Sequence, residues 1–386
     1  AGAICPTPAA RAVRRGRGTN CSGTVQPPRS MTAPSANPPA RILVVRLSAL
    51  GDVINTLPTL EALRRAFPAA HLGYAVEERN RDVIVGHPAL DRVHVLERKR
   101  WRARLTSPSQ WLELRREVAR FVAELRAERY DAVLDLQGNF KGALHALACG
   151  APRRIGFARG FCKELNFLAS NEHVTPPGAT EKVHRVLKFL AQAQHLGASA
   201  VEPRFRLPDL AAARERMGRA LADSRVGAYA ALHPGASGKG ALKRWPPERF
   251  GALAELLERE CGLASLVTWG PGERELAESV VASSGGCARL APATGSVLDL
   301  AALLERARLF VGGDTGPMHL ASAVSTPSVA LFGPKDPRTY GPFHARRRVV
   351  AHGEPGAGRM EDISVEAALE ACRALLAEVR VGASGR

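Results

Sequence analysis

The stretch LFVGGDTGPMHLASA, Leu309 to Ala323, decides the fold. Leu309, Phe310 and Val311 begin a short apolar run of the kind that forms a buried parallel strand. Gly312, Gly313, Asp314, Thr315 and Gly316 then turn the chain onto a helix that starts at about Pro317, a residue tolerated in a first helical turn. The start of such a helix offers free backbone N–H groups and the positive end of the helix dipole, and glycines let an anion approach the backbone. The plain alternative is an N-cap, with Asp314 or Thr315 contributing about 1 kcal/mol. A cap accounts for one Asp or Thr. It leaves two flanking glycines and His319, one turn later, without a reason, so the segment reads as an anion site.

Outward from this unit the same pattern repeats. SVALFGP (Ser328 to Pro334) is a further strand, and Val365 to Val379 a last amphipathic helix. Upstream, Leu298 to Ala307 and Phe250 to Cys261 have helical spacing, while ASLVTWGPG (Ala264 to Gly272) and YAALHPG (Tyr229 to Gly235) are strands running into loops. HPGASGKGALKRWP (His233 to Pro246) is a Gly-rich turn with three cations, Lys239, Lys243 and Arg244, and no acid. It lacks the G-K-S/T ending of a P-loop. Two such loops after strands of one domain converge on one cleft, which makes a diphosphate site.

The first half of the chain has the same alternation. ILVVRL (Ile42 to Leu47), LGYAVEE (Leu72 to Glu78), VHVL (Val93 to Leu96) and YDAVLDLQG (Tyr130 to Gly138) read as strands; Val53 to Phe67 and Trp111 to Arg129 read as helices. Strands alternating with helices mean a doubly wound parallel α/β sheet. After a helical stretch, Glu181 to Leu196, a Pro-containing connection (Glu202 to Pro208) leads into the second series. The expectation is two Rossmann-like domains, 41–200 and 201–386, facing a central cleft, with the last helix able to pack back on the first. SALGD (Ser48 to Asp52) stands where a G-x-G-x-x-G dinucleotide fingerprint would, but has a single glycine. It sets Asp52 at a helix start, either as a routine cap or as a general base for an acceptor hydroxyl. RKRWRAR (Arg98 to Arg104) is a dense basic run around Trp101, with Lys141, Arg153 and Arg154 adding to the field. It suits a solvated face, an anionic acceptor or a nucleic-acid patch, though no nucleic-acid module accompanies it.

The 386 residues suffice for two domains, and 45% hydrophobic with 24% charged residues is ordinary soluble composition. The net charge of +17 implies an anionic partner. Residues 1–40 carry five arginines and no acid and show no periodicity, so they read as a disordered basic leader, an Arg-rich transit segment, or an extension upstream of a start at Met31. Seven scattered cysteines without a C-x-x-C pair argue against a disulfide scaffold and for a reducing compartment, by default the cytosol. No metal site is required, although Asp314 offers a carboxylate to a Mg2+ ion beside a diphosphate.

Taken together, RILVVRLSALGDVINTLP (Arg41 to Pro58), YDAVLDLQG, KRWP (Lys243 to Pro246), WGPGE (Trp269 to Glu273) and GDTGPMHLA (Gly313 to Ala321) resemble the lipopolysaccharide heptosyltransferases, glycosyltransferase family 9. The order is kept from about Arg41 to Phe343, and RKRWR after VEE is closer to heptosyltransferase I than to II. The resemblance implies the two-domain GT-B fold and inverting sugar transfer from ADP-heptose to an acidic lipid-linked acceptor such as Kdo-lipid A. It implies Asp52 as general base, and Ser237, Lys243, Asp314, Thr315, Gly316 and His319 on the donor diphosphate and sugar. Glu273, or else Glu275, would grip the donor ribose. Arg98, Lys99, Arg100 and Arg102, with Lys141, would serve the acceptor. Thr294-Gly295 departs from the methionine that heptosyltransferase I places near the adenine. The expected protein is a monomeric cytoplasmic enzyme, peripheral to the anionic inner face of the membrane, with no nucleic-acid partner. The alternatives are a sugar-nucleotide epimerase of the same shape and a non-enzymatic basic nucleic-acid binder.

Overall fold

The computed structural model describes residues 38–384 apart from 179–181, 200–201, 225 and 237. The first six strands form one parallel sheet: β1 (Arg41–Val45), β2 (His71–Glu77), β3 (Arg92–Leu96), β4 (Ala132–Asp135), β5 (Arg153–Phe157) and β6 (Glu172–Val174), in the order β3-β2-β1-β4-β5-β6. The next six form a second: β7 (Tyr229–His233), β8 (Ala264–Val267), β9 (Ala288–Leu290), β10 (Leu309–Gly313), β11 (Ser328–Phe332) and β12 (Arg347–Ala351), in the order β12-β11-β10-β7-β8-β9. The two orders are the same doubly wound topology. Its switch points lie between β1 and β4 and between β7 and β10, where the carboxyl ends of the strands leave a crevice. The loops that follow these four strands are SALGD, QGN, HPGASGK and DTG, so topology alone gathers the polar motifs.

Helices α1 (Leu50–Ile54), α2 (Leu57–Ala66), α3 (Arg98–Leu105), α4 (Trp111–Ala127), α5 (Phe140–Ala148) and α6 (Arg185–Leu196) belong to the first series. Helices α7 (Ala211–Asp223), α8 (Pro247–Cys261), α9 (Arg274–Ala282), α10 (Val297–Arg306), α11 (Gly316–Ala323), α12 (Pro337–Tyr340) and α13 (Val365–Ser384) belong to the second. Strand residues alternate in the direction they face. Leu43 and Val45 pack outward on Phe121 and Leu125 of α4, while Ile42 and Val44 join a cluster that runs through Leu57, Met318 and Phe310. That cluster draws on both sheets, so the two halves share one apolar core beneath the crevice.

Three expectations need correction. The helix read as Val53 to Phe67 is two helices, because the Pro58 ring cannot follow a helical carbonyl at residue 54. The break at Asn55 and Thr56 turns the Thr56 hydroxyl onto Val53 O at 2.6 Å and Tyr74 Oη at 2.8 Å. Of the helix read from Glu181, a position outside the described residues, residues 182–184 are not helical, and α6 starts at Arg185, where His184 caps it by accepting from Val186 N at 3.2 Å. The last helix packs on its own sheet: Ala368, Leu369, Cys372 and Leu375 lie among Trp245, Leu253 and Val329. No helix among the described residues is long and apolar enough to cross a membrane.

Five imidazoles are kept neutral by burial, which pushes His87, His94, His184, His233 and His344 down to about 4. Unfolded, each would titrate near 6.5. The unfolded chain therefore binds more protons between pH 6.5 and 4, and stability is lost as pH falls through that window. The thermal midpoint at pH 5 should lie at least roughly 10 °C below that at pH 7.5. A flat midpoint across this range, measured by calorimetry, would contradict neutral buried rings.

Candidate active site

The first crevice is built around Asp52. Burial of Ile42 to Val45 makes a strand, and the next residue, Arg46, is a cation at a buried position. Its guanidinium is ion-paired with the Asp52 carboxylate, donates to Leu136 O at 2.7 Å, and lies 5.2 Å from the Phe189 ring centroid. Arg185 of α6 approaches the other carboxylate oxygen at 3.8 Å and donates to Tyr340 Oη at 3.2 Å. Burial pushes the Asp52 carboxyl upward, but Arg46, Arg185 and His319 outweigh it and hold it below the usual range. Asp52 also stands in the first turn of α1, where a negative charge is favoured. The loop that carries it is clamped from both sides. Gln137 Oε1 accepts from Leu47 N at 3.0 Å and Ser48 N at 3.3 Å, and Asn80 donates to Leu47 O at 2.9 Å.

Opposite stands the second crevice. Lys243 Nζ donates to Asp314 Oδ2 at 2.6 Å and to the Asp314 carbonyl at 3.3 Å. His319 Nε2 lies 3.6 Å from Asp314 Oδ1, and Asn55 of the first half donates to His319 Nδ1 at 3.4 Å. Burial pushes Asp314 upward, and His319 with Lys243 outweighs it, so it too is held low. Thr315 occupies the N-cap position of α11, yet its side chain makes no capping hydrogen bond. The capping alternative for this loop is therefore not realised through Thr315. Glu273 accepts from Gly270 N at 3.1 Å and lies 3.9 Å from His233 Nε2, between the loops after β7 and β8.

The two crevices open on one cavity of about 720 Å³, in the range of small-molecule sites. Asp52, Lys243, Glu273, Asp314, Thr315, Gly316 and His319 all border it, as do Thr294 and Gly295. Glu275 is exposed on α9 and does not line it. Ser237 lies outside the described residues. The basic run is a helix, α3, and none of Arg98, Lys99, Arg100, Arg102 or Lys141 borders the cavity. Arg98 and Lys141 instead approach the buried Glu77 carboxylate at 3.2 and 3.5 Å. Arg79, which does line the cavity, approaches Glu77 at 3.2 Å. Arg100 pairs with Glu97 at 2.8 Å and with Glu117. The run is thus next door to the cavity through Glu77, and partly neutralised.

Sequence reasoning missed Arg46 and Arg185, which grip Asp52, and Lys163, Lys335 and Tyr340, which line the wall. Arg46 had a signal, since a cation inside an apolar strand stays buried only when paired. Arg185 had none, being an ordinary arginine near a helix start. Among the described residues no group of three or more His, Cys, Asp or Glu side chains is arranged to hold a metal ion.

The approach of the two halves depends on two glycines. A Cβ on Gly51 would lie 2.3 Å from His319 Cδ2, and one on Gly316 2.8 Å from Leu50 Cδ2. Gly51→Ala should push α1 and α11 apart and lower kcat/KM roughly tenfold, since misplacement of a reacting group is costly. Steady-state kinetics on a folded variant checks this; an unchanged rate would mean that the His319 ring simply swings clear.

The family model glycosyltransferase family 9 (heptosyltransferase) matches residues 118–366. Lipopolysaccharide heptosyltransferase 1 of Pseudomonas aeruginosa is 33% identical over 308 residues, 78% of this chain and 81% of that protein. Lipopolysaccharide heptosyltransferase 1 of Escherichia coli K12 is 29% identical over 320 residues, 80% of this chain and 92% of that one. Among solved structures, E. coli heptosyltransferase WaaC with ADP superposes with a TM-score of 0.70 at 27% identity, covering 87% of this chain and 99% of that one. The two facing sheets are the GT-B architecture of these structures.

Proposed function

The chain belongs to glycosyltransferase family 9, the heptosyltransferases, and is a glycosyltransferase; from that premise we propose that it moves a heptose from ADP-heptose, with inversion, to an acidic lipid-linked acceptor of the Kdo-lipid A kind. The observation that carries this reading is the opposition of Asp52 to Lys243, Asp314 and Thr315 across one cavity. Inverting transfer needs a base on one side of the anomeric carbon and charge stabilisation of the departing diphosphate on the other. Asp52 takes the acceptor hydroxyl proton as the acceptor oxygen bonds to the anomeric carbon, and the bond from that carbon to the diphosphate oxygen breaks. Arg46 and Arg185 are positioning residues that keep the carboxylate ionised and aimed. Lys243 and the N-terminus of α11 receive the growing negative charge. Glu273 suits the donor ribose, and Ser237 keeps the phosphate role its motif implies.

The similarity to heptosyltransferase 1 relatives, and to the structure of E. coli heptosyltransferase WaaC with ADP-2-deoxy-2-fluoro heptose, supports the donor assignment. The cations Arg98, Lys99, Arg100, Arg102 and Lys141 serve the acidic acceptor from the rim, beyond Arg79. We place the enzyme, as a monomer, at the inner face of the cytoplasmic membrane, where an anionic leaflet attracts basic segments. Family membership sets aside the epimerase and the nucleic-acid binder.

Asp314 does not fit a magnesium site. One of its oxygens is taken by Lys243 at 2.6 Å and the other faces His319 at 3.6 Å. In this reading Lys243 supplies the charge a metal would, and EDTA should change kcat/KM by less than roughly twofold. A loss that returns with Mg2+ would overturn it. The inversion itself is tested by NMR, from the one-bond carbon–proton coupling at the new anomeric centre. The configuration opposite to the donor's is expected; a retained one would remove the single displacement.

A further inference from the structure

Helix α5 is apolar on both of its faces. Its inner face is made of small residues, Gly142, Ala143 and Ala146, followed by Cys149, and sits tightly on the sheet: a Cβ on Gly142 would lie 2.1 Å from Asp135 Oδ1. Its large residues point the other way. Phe140, Leu144 and Leu147, at helical spacing, are 57, 49 and 52% exposed. A surface helix ordinarily puts polar residues there. Beside it, a short turn of 3-10 helix, Asn166–Ala169, packs on α5; Leu165, just before the turn, and Leu168, within it, are 67 and 71% exposed. Glu164 ties the two together by accepting from Phe140 N at 3.0 Å. Five large apolar side chains thus form one patch, the kind of surface that marks an interaction site.

Its surroundings are basic. Helices α3 and α5 begin side by side, since Arg98 and Lys141 share the Glu77 carboxylate. Along α3, Lys99 and Arg102 are exposed, and their side chains have no ion-pair partner among the described residues. Arg159 and Lys163 are likewise exposed on the other flank. Lys163 also lines the cavity, two residues before Leu165, so the patch borders the mouth of the cleft.

We propose that Phe140, Leu144, Leu147, Leu165 and Leu168 form the surface by which the enzyme docks on an anionic lipid bilayer. Apolar side chains enter the headgroup–acyl boundary and the flanking cations meet anionic headgroups. A second copy of this chain would bring the same cations face to face, which disfavours self-association through this patch. The purpose rests on the lipid-linked acceptor proposed above; the location rests on the surface alone. Docked this way, the cleft opens toward the leaflet that would present the acceptor.

The test is flotation of the full chain with phosphatidylethanolamine vesicles containing about 30% phosphatidylglycerol, against pure phosphatidylcholine vesicles. Wild type should float with the anionic vesicles, and Leu144→Ser/Leu147→Ser/Leu168→Ser should bind at least about tenfold more weakly. Leu168→Ser alone, at a highly exposed site, should give a partial loss and guards against misfolding of the triple variant. The triple variant should transfer sugar normally to a water-soluble, deacylated acceptor but slowly to one embedded in vesicles. Wild-type-like flotation of the variant, or no flotation of the wild type, would overturn the proposal. So would a concentration-dependent dimer, seen by ultracentrifugation, that the triple variant dissolves. Flotation lost in the variant while wild type transfers no sugar would support the patch and count against the transfer reading alone.

Discussion

Asp52→Asn is expected to lower kcat for sugar transfer by about 10³-fold while leaving donor affinity within about threefold of wild type. The amide preserves shape but has no site for the acceptor proton. It still offers a carbonyl oxygen to Arg46, which keeps its own bond to Leu136 O at 2.7 Å. That matters, because Asp52→Ala would strand a buried guanidinium, and breaking a buried pair costs about 3–5 kcal/mol. The asparagine variant therefore separates chemistry from folding. A further sign follows from the low-held carboxyl. Asp52 stays ionised as pH falls from 8 to 5, so any acid limb of kcat in that range belongs to another group, and should persist with its midpoint unchanged in Asp52→Glu. A stopped assay with a kcat equal to wild type for Asp52→Asn would remove Asp52 from the mechanism.

The second large effect is at Lys243. Lys243→Ala should lower kcat/KM for the donor by about 10²-fold or more, the order seen when one charge-stabilising donor is removed from a reaction centre. The ammonium now rests on Asp314, which leaves it poised at the N-terminus of α11. Its loss has two consequences: the diphosphate loses a cation, and Asp314 is left facing it as an uncompensated negative charge. Lys243→Ala/Asp314→Asn should therefore recover part of the loss, a non-additivity that a simple packing defect would not produce. Calorimetric titration with ADP reads the binding part directly. An unchanged ADP affinity in Lys243→Ala would take the lysine away from the phosphates.

Much of the cavity wall built by the second half was legible because strand, glycine loop and helix follow one another locally, as in Leu309 to Ala323 and His233 to Pro246. Topology then does what local pattern implies: the same strand order in both sheets brings four loops to two switch points. Less legible were elements whose apolar pattern is atypical. Helix α5 was not read as a helix because its face pattern is inverted, and β5 begins with two arginines, Arg153 and Arg154. The charge balance of the first half was harder still. The basic run reads as a field of free charge, whereas folding sets Glu77 of β2 and Glu117 of α4 against it, beside Glu97 at its own start. Arg185 reaches Asp52 from 133 positions away, a pairing of tertiary origin that no spacing announces.

Transfer of a sugar across this cavity, from a nucleotide to an acceptor, is tested by ADP release from ADP-heptose by the purified full chain, with and without Kdo-lipid A. Release that requires the acceptor, with heptose appearing on it, is the result predicted here. ADP release that proceeds at the same rate without acceptor, leaving the acceptor unmodified, would contradict it.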